Sequence, residues 1–175
     1  MENKIEKVLF SREDIDIRVQ ELGKELSEEY RGKDPLVISL LRGSFIFAAD
    51  LIRAMDIKLE IDFLTTASYG NEETFSGTVK FLSEIRSEIK GRDVIIVDDI
   101  IDTGNTMKAV VEKIKESQPN SVKTCVVLDK PSRREVEIKP DYVAFEIPDV
   151  FIVGYGLNYG EFCRNIPYIY TYEDK

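Results

Sequence analysis

The chain contains no histidine, and that absence removes more chemistry than any other feature of its composition. A Ser-His-Asp or Cys-His nucleophile system cannot be built, and neither can a histidine-ligated zinc site. Proton transfer is left to Asp, Glu, Lys, Tyr or Cys. Any metal is expected to be a hard cation held by oxygen, with magnesium the first candidate. Cysteine is scarce too, with Cys125 and Cys163 alone. They lie too far apart for a metal or redox motif and read as two reduced thiols in or near the core.

Long apolar runs are also missing. No stretch approaches the roughly 18 residues that a membrane helix requires. Met1 to Phe10 alternates polar and apolar residues, unlike a secretion signal. The expectation is a cytoplasmic protein with no membrane partner. Positive charge is in deficit, with 24 Lys and Arg against 33 Asp and Glu and a net charge of −9. Such a chain is a poor nucleic-acid binder. An anionic small ligand would have to be held locally by backbone amides, a metal or a small basic cluster. No internal repeat or Gly/Ser/Pro-rich linker divides the 175 residues, of which 43% are hydrophobic. One domain spanning 1–175, with a substantial core, is expected.

Against these absences stands a regular alternation of elements. Ser11 followed by Asp14 reads as an N-cap, and Ile15, Val19, Leu22 and Leu26 then share one helical face. A turn at Gly32 and Asp34-Pro35 leads into a buried strand, Leu36 to Leu41. Phe45 to Met55 reads as a helix capped by Ser44. Leu59 to Thr66 is a strand. Residues 67–78, polar with two glycines, form a long loop of the kind that often acts as a lid. Val94 to Val97 is apolar throughout, the pattern of a strand covered on both faces. Met107, Val110, Val111 and Ile114 stripe the next helix, and strands follow at Val122 to Leu128, Tyr142 to Phe145 and Phe151 to Val153. The alternation predicts an α/β fold with a mostly parallel central sheet flanked by helices. Ligands in such folds collect outside the carboxyl ends of the strands. The loops beginning at Arg42, Asp98 and Lys130 lie there.

The most informative string is Asp98-Asp99-Ile100-Ile101-Asp102-Thr103-Gly104-Asn105-Thr106. Gly104 permits a tight turn, and Thr103, Asn105 and Thr106 supply donors around a helix N-terminus. Exposed amides there, with the positive end of the helix dipole, make a phosphate cradle. No Gly-Lys-Ser/Thr follows, so it is not a Walker loop. Gly154 to Gly160 is one residue too long for a dinucleotide fingerprint. Three carboxylates beside a phosphate site suit two jobs. They accept hydrogen bonds from vicinal sugar hydroxyls, and they help hold magnesium that bridges to pyrophosphate.

The string resembles the phosphoribosyl-pyrophosphate signature of the type I phosphoribosyltransferases. Leu41-Arg42-Gly43-Ser44, Ser68-Tyr69-Gly70, Leu128-Asp129-Lys130-Pro131 and the run from Phe151 through Arg164-Asn165 follow in the order seen in hypoxanthine-guanine phosphoribosyltransferases. The resemblance spans about Val8 to Tyr170. It implies the family fold, with a small hood made of the N- and C-terminal segments. It implies transfer of the sugar phosphate to N9 of hypoxanthine or guanine, a purine-salvage reaction. The 5′-phosphate falls to Asp102, Thr103, Gly104, Asn105 and Thr106, and the ribose hydroxyls to Asp98 and Asp99. Asp102 is the implied general base. Arg42, Gly43 and Arg164 match pyrophosphate contacts, and Ser68 and Tyr69 the start of a lid. Lys130, Phe151 and Ile152 match contacts to the purine. Asp98, Asp99 and Asn158 match positions that help bind magnesium, although the family usually has an acidic residue where Asn158 stands. The partners implied are a purine base and phosphoribosyl pyrophosphate, with a homodimer or homotetramer as the assembly. Arg133 and Arg134, just beyond Lys130, read as surface charge. The rival acceptors are xanthine, adenine or a pyrimidine, and a rival class is a nucleotide-sensing regulator on the same fold.

Overall fold

The computed structural model describes residues 5–68 and 79–173. The chain runs β1 (Ile5–Phe10), α1 (Arg12–Tyr30), β2 (Leu36–Leu41), α2 (Phe45–Ala54), β3 (Glu60–Ser68) and β4 (Val79–Phe81). It continues with β5 (Asp93–Ile101), α3 (Asn105–Glu116), β6 (Ser121–Asp129), a 3-10 turn at Pro131–Arg133, β7 (Tyr142–Glu146), β8 (Ile152–Val153) and β9 (Ile169–Glu173). Among the described residues no helix is long and apolar enough to cross a membrane.

Six strands form the central sheet in the order β4-β3-β2-β5-β6-β7. All neighbours pair in parallel except β4, which runs antiparallel to β3. Both faces are covered, which is why the central strands are apolar throughout rather than alternating. Leu36, Ile38, Leu40, Val94 and Ile96 pack with Met107, Val110 and Ile114 of α3. Val37, Ile95, Val97 and Cys125 pack with Ile15, Val19, Leu22 and Leu26 of α1 and with Phe47 and Leu51 of α2. Each such side chain removed from water contributes roughly 1.5–3 kcal/mol. The helix after β2 and the helix after β5 thus lie on opposite faces. Their preceding loops part between β2 and β5 and leave a crevice there.

The capping box expected at α1 is present. Ser11 accepts from the Asp14 amide, and the Asp14 carboxylate accepts from the Ser11 amide. Ser44 departs from expectation. It occupies the N-cap position of α2, but its hydroxyl donates to Leu40 O at 2.5 Å and lies 2.7 Å from Ser39 Oγ, so it does not cap the helix. β5 also departs. Pairing with β6 continues to Ile101 opposite Asp129, so Asp98 and Asp99 stand on a strand and the loop begins only at Asp102. Cross-strand pairing outweighs the poor strand propensity of aspartate here. The first and last strands form the expected hood, a separate antiparallel sheet in the order β1-β9-β8.

Candidate active site

The crevice is a cavity of about 510 Å³ lined by residues from four parts of the chain. Arg42 and Gly43 come from the β2–α2 loop, Asp98 and Asp99 from the end of β5, Asp102, Thr103, Gly104 and Thr106 from the β5–α3 turn, and Asn158 and Arg164 from the hood. Thr66 and Met107, read from the sequence only as strand and helix residues, line it as well.

The acidic pair forms the floor. Asp99 N donates to Asp98 Oδ1 at 2.9 Å, and Ile100 N donates to Asp99 Oδ1 at 2.7 Å. Burial, and then the neighbouring Asp99 charge, pushes the Asp98 carboxyl well above the ordinary carboxylate range. Burial also raises Asp99, opposed by hydrogen bonds from Asp98 and the Ile100 amide and by the Arg164 guanidinium. Two carboxyls held this way favour a cation or hydroxyl donors placed over them.

The turn after β5 is built around Gly104, the N-cap of α3, at φ 87°. That left-handed conformation disfavours other residues, and a Cβ there would stand 2.6 Å from Ile138 Cγ2. Glycine brings no side chain to cap the first-turn amides, so the end of the helix dipole opens on the cavity. Arg134 fastens the turn from behind. It donates to Asp102 O at 2.6 Å and to Ile138 O at 3.1 Å, and it forms an ion pair with Asp129. Asn105 stands apart from the other residues of the string and does not line the cavity. Its Nδ2 donates to Thr103 Oγ1 at 3.1 Å and to Glu135 at 3.0 Å, and its amide N–H to Thr103 Oγ1 at 3.3 Å.

On the other side, the Leu41–Arg42 peptide is cis. Gly43 packs directly against the Asp99 carboxylate. Arg164 donates to Gly156 O at 2.6 Å and accepts from Gly156 N at 2.9 Å through its own carbonyl, so the hood presents the guanidinium to the cavity. Asn158 Nδ2 donates to Gly160 O at 2.6 Å, which leaves the amide oxygen as its acceptor end.

Lys130, Phe151 and Ile152 lie outside this cavity but close to one of its walls. Lys130 is 7% exposed, with Nζ 3.8 Å from Asp149 Oδ1. Ile152 is buried in β8, whereas Phe151 is 53% exposed and meets Tyr159 edge to face at 5.9 Å. A ring this exposed does not belong to the core. The reading of Arg133 and Arg134 as surface charge fails for Arg134 and holds for Arg133 as to exposure, although Arg133 is ion-paired. Arg134 is largely buried in the contacts above, and Arg133 Nε donates to Asp102 Oδ1 at 3.1 Å while its Nη1 lies 3.6 Å from Asp149 Oδ2. The signal that identifies them is Pro131, which starts a 3-10 turn and folds the arginine pair back toward β6. Ser68 ends β3 opposite Val79 of β4, while Tyr69 and the rest of the expected lid lie outside the described residues.

The phosphoribosyl transferase domain model matches residues 9–160. The hypoxanthine-guanine phosphoribosyltransferase of Bacillus subtilis is 48% identical over 97% of this chain and 94% of its own length. A bifunctional TilS/HprT protein of Listeria monocytogenes is 46% identical over 97% of this chain, which spans only 26% of that longer protein. Among solved structures, a hypoxanthine phosphoribosyltransferase of Staphylococcus aureus superposes with a TM-score of 0.92 at 41% identity, covering 95% of this chain and 91% of the other.

Proposed function

The chain belongs to the phosphoribosyl transferase family, and we propose from that premise that it is a hypoxanthine-guanine phosphoribosyltransferase of purine salvage. It transfers the 5-phosphoribosyl group from phosphoribosyl pyrophosphate to N9 of hypoxanthine or guanine, giving IMP or GMP. In the step itself, the N9 lone pair bonds to C1′ of the sugar. The C1′–oxygen bond breaks and pyrophosphate leaves with its electrons. Asp102 takes the proton from N7.

The observation that carries this reading is the convergence of two kinds of group on one crevice. The acidic pair and the glycine-capped helix end suit a sugar phosphate, and Arg42, Gly43 and Arg164 face them across the same cavity. Thr103, Gly104 and Thr106 hold the 5′-phosphate, with Asn105 bracing the turn. Arg164 and the Arg42-Gly43 backbone hold pyrophosphate. Lys130 donates to the 6-oxo group, which rewards hypoxanthine and guanine and gains nothing from a 6-amino group. Phe151 stacks on the ring, Ile152 meets the base edge through its backbone, and Ser68-Tyr69 starts the lid.

The donor set fits magnesium. It consists of oxygens, and the two raised carboxyls of Asp98 and Asp99 would be relieved by a cation. Among the described residues no group of three or more His, Cys, Asp or Glu could hold a metal, so Asp98, Asp99 and the Asn158 oxygen would share the ion with substrate oxygens. When bound, it neutralises charge on the departing pyrophosphate. Cytoplasmic location and a homodimer or homotetramer belong to the same proposal, and sedimentation measures the assembly.

Incubation with phosphoribosyl pyrophosphate, magnesium and each purine, followed by absorbance, tests the function. Product is expected from hypoxanthine or guanine and little from adenine. Product from adenine alone would reverse the base assignment, and none from any base would remove the activity.

A further inference from the structure

Four side chains of alternating charge run from the sugar site to the purine site. Asp102 meets Arg133 at 3.1 Å, Arg133 meets Asp149 at 3.6 Å, and Asp149 meets Lys130 at 3.8 Å. The two ends, Asp102 and Lys130, are the two side chains assigned to the N7 proton and the 6-oxo group. We propose that Arg133 is a latch on the purine site, holding the Asp102 end in the free protein and swinging aside toward Asp149 when the base enters. The proposal rests on the role given to Asp102 above.

The neighbouring arginines are built for different tasks. Arg134 has 15% side-chain exposure and three protein acceptors, so it is fixed. Arg133 has 48% exposure, and its partners Asp102 and Asp149 have 40% and 53%. Ion pairs this open to water contribute little and break easily. Arg133 Nε donates to Asp102 Oδ1, on the carboxylate that must accept the N7 proton. A guanidinium there competes with the base for that group. Asp149 remains as a tether when the guanidinium leaves. In the free protein the guanidinium already lies 3.6 Å from Asp149, so it has a second carboxylate to move onto when it leaves Asp102. Arg133 is a positioning residue in this scheme, since it acts through Asp102 and touches neither substrate.

Arg133→Gln removes the competitor. The KM for hypoxanthine is expected to fall about 2- to 5-fold, the size of effect an exposed pair supports, with kcat and the KM for the sugar donor within about two-fold of the parent. Arg133→Lys restores a charge that reaches Asp102 without the forked bridge, and its KM is expected to lie between the two. A merely structural arginine would raise KM or leave it unchanged in both variants, and either result overturns the latch. The same substitution in an Asp102→Asn background should leave the purine KM unmoved, and persistence of the effect there also overturns it. If Asp102→Asn alone keeps the forward rate, the role of Asp102 fails. If it loses the rate while Arg133→Gln leaves the purine KM unchanged, the latch alone fails.

Discussion

Gly43 sits so close beneath the Asp99 carboxylate that a Cβ built on it would overlap Oδ2, and its own carbonyl is approached as tightly by Gly156. The β2–α2 loop is therefore a spacer between the acidic floor and the β8–β9 segment that carries Arg164. A methyl group has no room unless the loop or the carboxylate shifts. Gly43→Ala is expected to lower kcat/KM for the sugar donor by at least about 10²-fold, because sub-ångström placement governs such sites. The melting temperature should move by only a few degrees, since the loop lies outside both cores. Unimpaired donor kinetics would mean that the packing seen here does not constrain the reactive geometry.

Asp102→Asn keeps the size of the side chain and removes its capacity to take a proton. General-base catalysis contributes about 10²–10⁴-fold, so the forward rate is expected to fall within that range. Donor binding should persist, because Arg134 fastens the turn through the Asp102 backbone carbonyl and not through its side chain. Single-turnover rates beside a donor titration separate the two effects. A variant that turns over normally would take Asp102 out of proton transfer.

The alternation of apolar strands with amphipathic helices was legible because burial on both faces leaves unbroken apolar runs such as Val94 to Val97. The string from Asp98 to Thr106 was legible because its residue types declare a turn into a helix. What escaped depends on partners distant in sequence. Asp98 and Asp99 look like loop residues until pairing with β6 makes them strand. Arg133 and Arg134 look like surface charge until the turn at Pro131 brings one to the side chain of Asp102 and the other to its backbone carbonyl. Ser44 looked like a cap, but the carbonyl of Leu40 and the hydroxyl of Ser39 compete for its hydroxyl.

Lys130→Met should separate recognition of the base from recognition of the sugar. The ammonium is buried, with the Asp149 carboxylate 3.8 Å away. A hydrogen bond from a charged donor contributes about 1.5–3 kcal/mol, so the KM for hypoxanthine is expected to rise roughly 10- to 150-fold. The KM for the donor should stay within about two-fold, and the slow rate with adenine should not fall further. Equal losses with hypoxanthine and adenine would show that Lys130 supports the site without reading the 6-position.

Asp98→Asn should make the substrate-free protein more stable while impairing it. Burial and the Asp99 charge raise the Asp98 carboxyl in the folded state, so between the unfolded value near 3.9 and that raised value the native state binds more protons than the unfolded state. Stability then falls as pH rises through this window. The amide carries no charge and escapes that loss. At pH 8 in chelator, a gain of about 1 kcal/mol corresponds to roughly 2–4 °C in melting temperature for a chain of this size. The gain should shrink toward pH 4, where the native carboxyl is protonated anyway. Donor affinity should drop in the same variant, since the carboxylate offered to the ribose hydroxyls and the cation is gone. A lower melting temperature at pH 8, or a pH-independent difference, would show that the acidic pair is not a source of strain in the empty site.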